Sequence, residues 1–167
     1  MSGTSLPQGG IRRDRGEGTS FWLLTDLFTF KVTGDQTGGA FSVAEVDAGP
    51  ELGPPPHVHR DADESFYILE GTFDFSLAGE AFSAGPGAFV HLPKGVVHTH
   101  RAGGGAAAKA LVIQSPAGVE RFIEEAGTPA TNRSRRCSPA SFNTHRSRDE
   151  KGSSRSRAKS IGLSIRS

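Results

Sequence analysis

The side chains best suited to chemistry lie in residues 54–64, PPPHVHRDADE, and at His98 in PKGVVH. His57 and His59 flank a single residue, Glu64 follows after four more, and His98 comes well downstream. Three imidazole nitrogens and one carboxylate oxygen form a donor set that grips a divalent transition metal. On an extended segment, His57 and His59 at i and i+2 share one face, about 6.5 Å apart along the backbone, and Val58 points the other way. The polar run Arg60 to Asp63 reads as a turn that returns Glu64 alongside them at the head of the strand ESFYILE. Alternation puts Glu64, Phe66 and Ile68 on one face, so a charged group ends an apolar row. A buried carboxylate of that kind needs a partner or a metal.

His98 requires a second set of elements. Gly85-Pro86-Gly87 is a turn, Ala88 to Leu92 a short strand, Pro93-Lys94-Gly95 another turn, and Val96 to Arg101 a strand carrying His98. These predict a second hairpin, which a sheet closed on itself would bring opposite the first histidine pair. Thr19 to Val32 and Ala40 to Asp47 also read as strands, joined by a loop built on Gly34, Gly38 and Gly39. Phe73 to Leu77 and Glu80 to Ala84 form a hairpin through Ala78-Gly79, and Ala106 to Gln114 completes the set. A helix is expected to start with Ser115 as cap and Pro116 in its first position. Val119, Phe122 and Ile123 form its apolar stripe, and Gly127 stops it.

The 10 prolines and 22 glycines scattered between short apolar runs favour an all-β barrel or sandwich, and 167 residues suffice for one core. A single cysteine, Cys137, excludes an intramolecular disulfide and suggests a cytoplasmic protein. The N-terminus has no apolar run of signal-peptide length, and no stretch approaches the ~20 residues of a membrane helix. Charge divides the chain in two. Residues 1–130 carry 9 Lys+Arg against 16 Asp+Glu, whereas residues 131–167 carry 10 against 2. The expected organisation is a flexible segment over 1–18, a domain over 19–127, and a disordered Ser/Arg-rich tail over 128–167 that buries too little apolar surface to offset its ordering entropy. Clustered arginine attracts phosphate, yet such a run is ordinarily a solvated tail, so no nucleic-acid partner is expected.

The two segments carry a resemblance. His57, one residue, His59, four residues, Glu64, six residues and Gly71 match the first motif of the cupin superfamily. Gly87, five residues, Pro93, one residue, Gly95, two residues and His98 match the second. Two positions depart from the pattern: the entry glycine would fall at Glu51, between Gly49 and Gly53, and the closing asparagine is Ala102. Within the superfamily the chain is similar to small bacterial single-domain cupins of the quercetin 2,3-dioxygenase type. The resemblance implies a double-stranded β-helix, the jelly-roll cupin barrel, with a short terminal helix and a metal inside. It also implies His57, His59, Glu64 and His98 as ligands, with Glu64 as the base for a substrate hydroxyl, and oxidative opening of a flavonol-type enolate with dioxygen.

Four protein ligands saturate a tetrahedral zinc ion, but leave two neighbouring positions open on octahedral Fe, Mn, Ni or Co; Cu belongs to the same candidate list. One carboxylate leaves a divalent site at net positive charge, which favours small oxygen-rich anions such as enolates and phenolates. An isomerase or epimerase acting on a sugar or keto acid, and a non-catalytic metal- or ligand-binding cupin, are the competing readings. His100 shares a face with His98 and is expected behind the ligands or in the substrate pocket, together with Phe66. His91 reads as a hydrogen-bonded structural histidine, and Trp22, Phe28, Phe30, Phe73 and Phe75 read as core. An exposed sheet edge predicts a homodimer.

Overall fold

Apolar alternation builds nearly all of the architecture. The computed structural model describes residues 4–5, 7–50 and 52–130. Its strands are β1 (Thr4–Ser5), β2 (Ile11–Arg12), β3 (Thr19–Leu23), β4 (Asp26–Val32), β5 (Ser42–Ala48), β6 (Asp63–Glu70), β7 (Phe73–Leu77), β8 (Glu80–Ala84), β9 (Phe89–Leu92), β10 (His98–Ala102), β11 (Ala108–Ser115) and β12 (Thr128–Pro129). Two helices accompany them, α1 (Gly34–Thr37) and α2 (Val119–Ala126). Seven strands form one sheet in the order β12-β3-β4-β5-β11-β6-β9, and three form a second in the order β10-β7-β8. Every ladder is antiparallel. The fold is an all-β jelly roll with a short C-terminal helix, as expected.

Register sorts the inward side chains by chemistry. Ser42, Gln114 and Glu64 lie side by side across β5, β11 and β6. The next inward rung is Ala44, Val112 and Phe66, and the one after it is Val46, Ala110 and Ile68. One end of the barrel is therefore polar and the rest apolar. Phe66, Ile68, Phe73 and Leu92 have no exposed surface and anchor the apolar part, each fully buried side chain of this size being worth about 1.5–3 kcal/mol. On the outer face, Lys109 Nζ bridges Asp47 Oδ1 at 2.6 Å and Glu45 Oε1 at 3.1 Å, and Lys31 Nζ meets Glu45 Oε2 at 3.3 Å.

Several expectations are corrected. Thr19 to Val32 is a hairpin, not one strand: the chain reverses through Leu24 and Thr25, with Leu24 at φ 56°. No glycine, proline or asparagine marks that turn. The strands on either side of Pro93-Lys94-Gly95 do not form a hairpin either. β9 pairs with β6 in the large sheet, and β10 pairs with β7 in the small one. The glycine-rich loop holds the helical turn α1, capped by reciprocal bonding between Thr33 and Gln36. The terminal helix begins at Val119 with Gly118 as its cap, because Ser115 still pairs with Asp63 in β11 and its hydroxyl donates to Ala40 O. Its stripe is as expected: Ile123 is buried, and Val119 and Phe122 pack on the core.

At the domain's edges, β12 pairs Thr128 and Pro129 with Trp22 and Phe21, so these two residues belong to the sheet and not to the tail. Within 1–18, β1 pairs with β2, and Lys31 Nζ donates to Asp14 O and Glu17 O. The Ser/Arg-rich stretch from 131 onward, with Cys137, lies outside the described residues.

Candidate metal centre

The first histidine pair comes from an extended segment, not from a ladder strand. His57 N–H donates to His98 O and His98 N–H donates to His57 O, both at 2.9 Å, an isolated bridge that sets the two residues opposite each other. Gly95 N–H donates to His59 O at 2.7 Å from a backbone at φ 76°, a conformation glycine adopts without strain. Gly53 lies so close to the His100 backbone that a Cβ there would collide with it, and Thr99 Oγ1 donates to Pro54 O at 2.6 Å. These contacts clamp the histidine segment onto β10. Alternation along β10 turns both His98 and His100 inward, and β6 delivers Glu64.

His57, His59, Glu64 and His98 are all buried, and one donor atom from each lies within 4.8 Å of the others. Glu64 Oε2 stands 3.4 Å from His98 Nε2 and 3.7 Å from His59 Nε2. His57 Nδ1 donates to Pro55 O and His98 Nδ1 to Val96 O, both at 2.9 Å, so each ring keeps its Nε2 lone pair for the centre. Val119 N–H donates to Gln114 Oε1 at 3.0 Å, which orients the amide so that Gln114 Nε2 faces His59 Nε2 at 3.5 Å. A donor on that side matches a His59 Nε2 that also carries a lone pair. Among the described residues, Glu64 Oε2 and His98 Nε2 are buried without a hydrogen-bond partner. Orphaned buried donors of this kind are costly unless something completes them. The donor types, their convergence and the orphaned atoms fit a divalent metal ion.

The electrostatics agree. Burial would raise Glu64, but the imidazoles of His59 and His98 outweigh it and hold the carboxyl well below the usual carboxylate range. Burial lowers His57, and the neighbouring His98 adds to the effect. For His98 burial acts downward, yet Glu64 and the Val96 carbonyl prevail and raise it. Burial pushes His100 down to about 4, so this ring is neutral near neutral pH.

A cavity of about 220 Å³ opens beside the cluster, lined by His57, His59, Glu64 and His100 and walled by apolar side chains such as Phe28, Phe122 and Ile123. His100 lines it. Phe66 does not; it is enclosed behind the His100 ring, whose centroid is 4.7 Å from its own. Phe28, read as core, reaches the cavity, while Phe30, Phe73 and Phe75 are core. His91 faces outward and shares a 3.0 Å hydrogen bond with Ser65 Oγ.

Sequence reasoning missed three residues. Gln114 ends the inward row Ala108, Ala110, Val112 on β11, the same signal that singled out Glu64 on β6. Glu120 is a buried carboxylate on α2 that accepts Gly34 N–H at 2.7 Å and Gly118 N–H at 2.8 Å, fastening the helix that covers the cavity. Asp26, 5% exposed, lines the cavity from β4, where it was hidden by reading the β3–β4 hairpin as one strand.

Residues 43–114 match the family described as the cupin domain, and both the His57–His59–Glu64 and His98 segments lie within the match. This stretch is a cupin domain. The chain shares 29% identity over 86 residues with quercetin 2,3-dioxygenase of Bacillus subtilis (strain 168), an alignment covering 52% of the chain and 26% of that relative. The chain thus spans about a quarter of that relative's length. Its fold is similar to that of KdgF from Halomonas sp. (TM-score 0.57, 16% identity, 65% of this chain and 94% of that one). It is also similar to ectoine synthase from P. lautus (TM-score 0.55, 18% identity, 66% and 79%). At these identities the neighbours speak for the fold alone. Among the described residues, no helix of the chain is long and apolar enough to cross a membrane.

Proposed function

We propose that this chain is a metal-dependent oxidoreductase of the dioxygenase type that acts on a small enolate- or phenolate-forming substrate. The observation that carries the reading is the convergence of three buried imidazoles and one buried carboxylate, of which His57, His59 and Glu64 line a cavity whose wall is largely apolar. His57, His59, Glu64 and His98 would hold the ion. When bound, a divalent ion supplies a Lewis acid that polarises the oxygens of an anionic substrate and favours its ionised form.

The chain's own residues do the rest. Glu64 contributes the only carboxylate of the four and serves as the base that takes the proton of a substrate hydroxyl. Phe28, Phe122 and Ile123 exclude water from the substrate's body. His100, neutral and with its Nδ1 unpartnered among the described residues, supplies a polar group without adding charge. The similarity to quercetin 2,3-dioxygenase supports oxidative chemistry on an enol. The size of the cavity narrows the substrate. About 220 Å³ holds roughly seven waters, whereas pockets for drug-sized ligands measure roughly 300–1,000 Å³. A single-ring enol or phenol suits it better than a complete flavonol.

The exposed edge strand β9, with Phe89 62% exposed beside its cross-strand neighbour Tyr67, supports pairing of two copies. The functional test begins with elemental analysis of protein purified without chelator. The Co(II)-substituted protein is then titrated with enediols, flavonols and hydroxy acids, and turnover is followed with and without oxygen. An unchanged Co(II) spectrum throughout refutes the metal–enolate reading, and turnover that persists without oxygen replaces the dioxygenase with an isomerase.

A further inference from the structure

One polar group in the cavity has no part in the chemistry above. Asp26 stands at the start of β4, on a hairpin that contributes none of the four cluster residues, and it lines the same cavity as His57, His59 and Glu64. Gly49 N–H donates to Asp26 Oδ1 at 3.1 Å and Thr25 Oγ1 donates to the same oxygen at 3.4 Å. Both donors converge on Oδ1, so neither engages Oδ2, and together they fix the orientation of the carboxyl. Its neighbours in the cavity wall are Leu23, Leu24, Phe28, Phe122 and Ile123. A carboxyl set among apolar side chains is expensive to bury unless it performs a task. A merely structural acceptor for Gly49 N–H needs no cavity in front of it.

We propose that Asp26 is the substrate-recognition group of this cavity, receiving a hydroxyl carried by the part of the substrate that does not meet the His57, His59, Glu64 and His98 cluster. The inference rests on the metal–enolate reading above and deepens it. The substrate class becomes a single-ring enol or phenol with two neighbouring oxygens for the cluster and a further hydroxyl for Asp26, separated by an apolar body. Specificity in such a pocket comes from a few fixed polar groups in an apolar lining, and a site built to bond a hydroxyl discriminates against the analogue that lacks it. Burial pushes the Asp26 carboxyl up to about 6, against the opposing hydrogen bonds from Gly49 and Thr25. Whether protonated or ionised, it accepts a hydrogen bond.

The test compares 4-hydroxymethylcatechol with 4-methylcatechol, which differ by one hydroxyl. Both are titrated anaerobically into the Co(II)-loaded protein and followed by its visible spectrum. The wild type is expected to bind the hydroxymethyl compound roughly fivefold or more tightly, the size of one net hydrogen bond. Asp26→Leu is expected to abolish that preference while still binding 4-methylcatechol. Asp26→Asn, which keeps an acceptor for Gly49 N–H, serves if the leucine variant does not fold and is expected to weaken the preference. Equal affinities in the wild type, or a preference that survives in both variants, overturns the role of Asp26. If neither catechol alters the spectrum, the metal–enolate reading fails and this inference falls with it.

Discussion

Asp26→Asn also tests how the cavity treats charge, through stability and with no ligand present. In the folded chain, burial moves the carboxyl from 3.8 to about 6. That gap corresponds to on the order of 3 kcal/mol of linkage between protonation and folding. The sign follows from the direction. Because the folded state holds the proton more tightly than the unfolded state, Asp26's contribution is fully present below 3.8 and is lost as pH rises through about 6. Asparagine keeps the Oδ1 acceptor for Gly49 and Thr25 and carries no charge at any pH. Relative to Asp26→Asn, the wild type should therefore lose on the order of 3 kcal/mol between about pH 3.8 and about pH 7. The assay is urea unfolding of both proteins across that range with a chelator present, so that metal occupancy does not vary with pH. A fixed cost of the new amide shifts the offset between the two curves, not their difference in slope. Parallel curves, within about 0.5 kcal/mol, would show that the folded environment does not disfavour the carboxylate and would refute the argument from burial.

Three further outcomes are expected. Adding Co(II) or Ni(II) at about a hundred times its dissociation constant should stabilise the protein by about 2.7 kcal/mol; His98→Ala should abolish most of that rise in Tm, and an equal rise in the variant would remove His98 from the donor set. Glu120→Ala deletes the acceptor of Gly34 N–H and Gly118 N–H, and denaturant unfolding should register a loss of roughly 2–3 kcal/mol. Phe66→Ala leaves a void in the apolar part of the barrel and should cost about 3–5 kcal/mol, with the metal-induced rise in Tm retained, because the side chain supports His100 without reaching the cavity.

What the sequence determined by itself follows from local rules. Alternation made most of the strands legible and put Glu64 on the same face as Phe66 and Ile68, while residue types and spacing made His57, His59, Glu64 and His98 a coherent donor set. Net charge alone separated the acidic domain from the basic stretch that follows. Tertiary structure decided whatever depends on which strand meets which. Adjacency in the chain suggested a β9–β10 hairpin, yet hydrogen bonding sends β9 to β6 and β10 to β7, and that division carries His98 to the sheet opposite Glu64. Asp26 stayed invisible because its turn is made by Leu24 at positive φ, with none of the residues that ordinarily announce one. Gln114 gained meaning only when register set it beside Glu64 and the start of α2 supplied the donor that orients its amide toward His59. A side chain's face is a property of its own strand, whereas its neighbours across a cavity come from the pairing of segments distant in the chain, and no local period encodes that pairing.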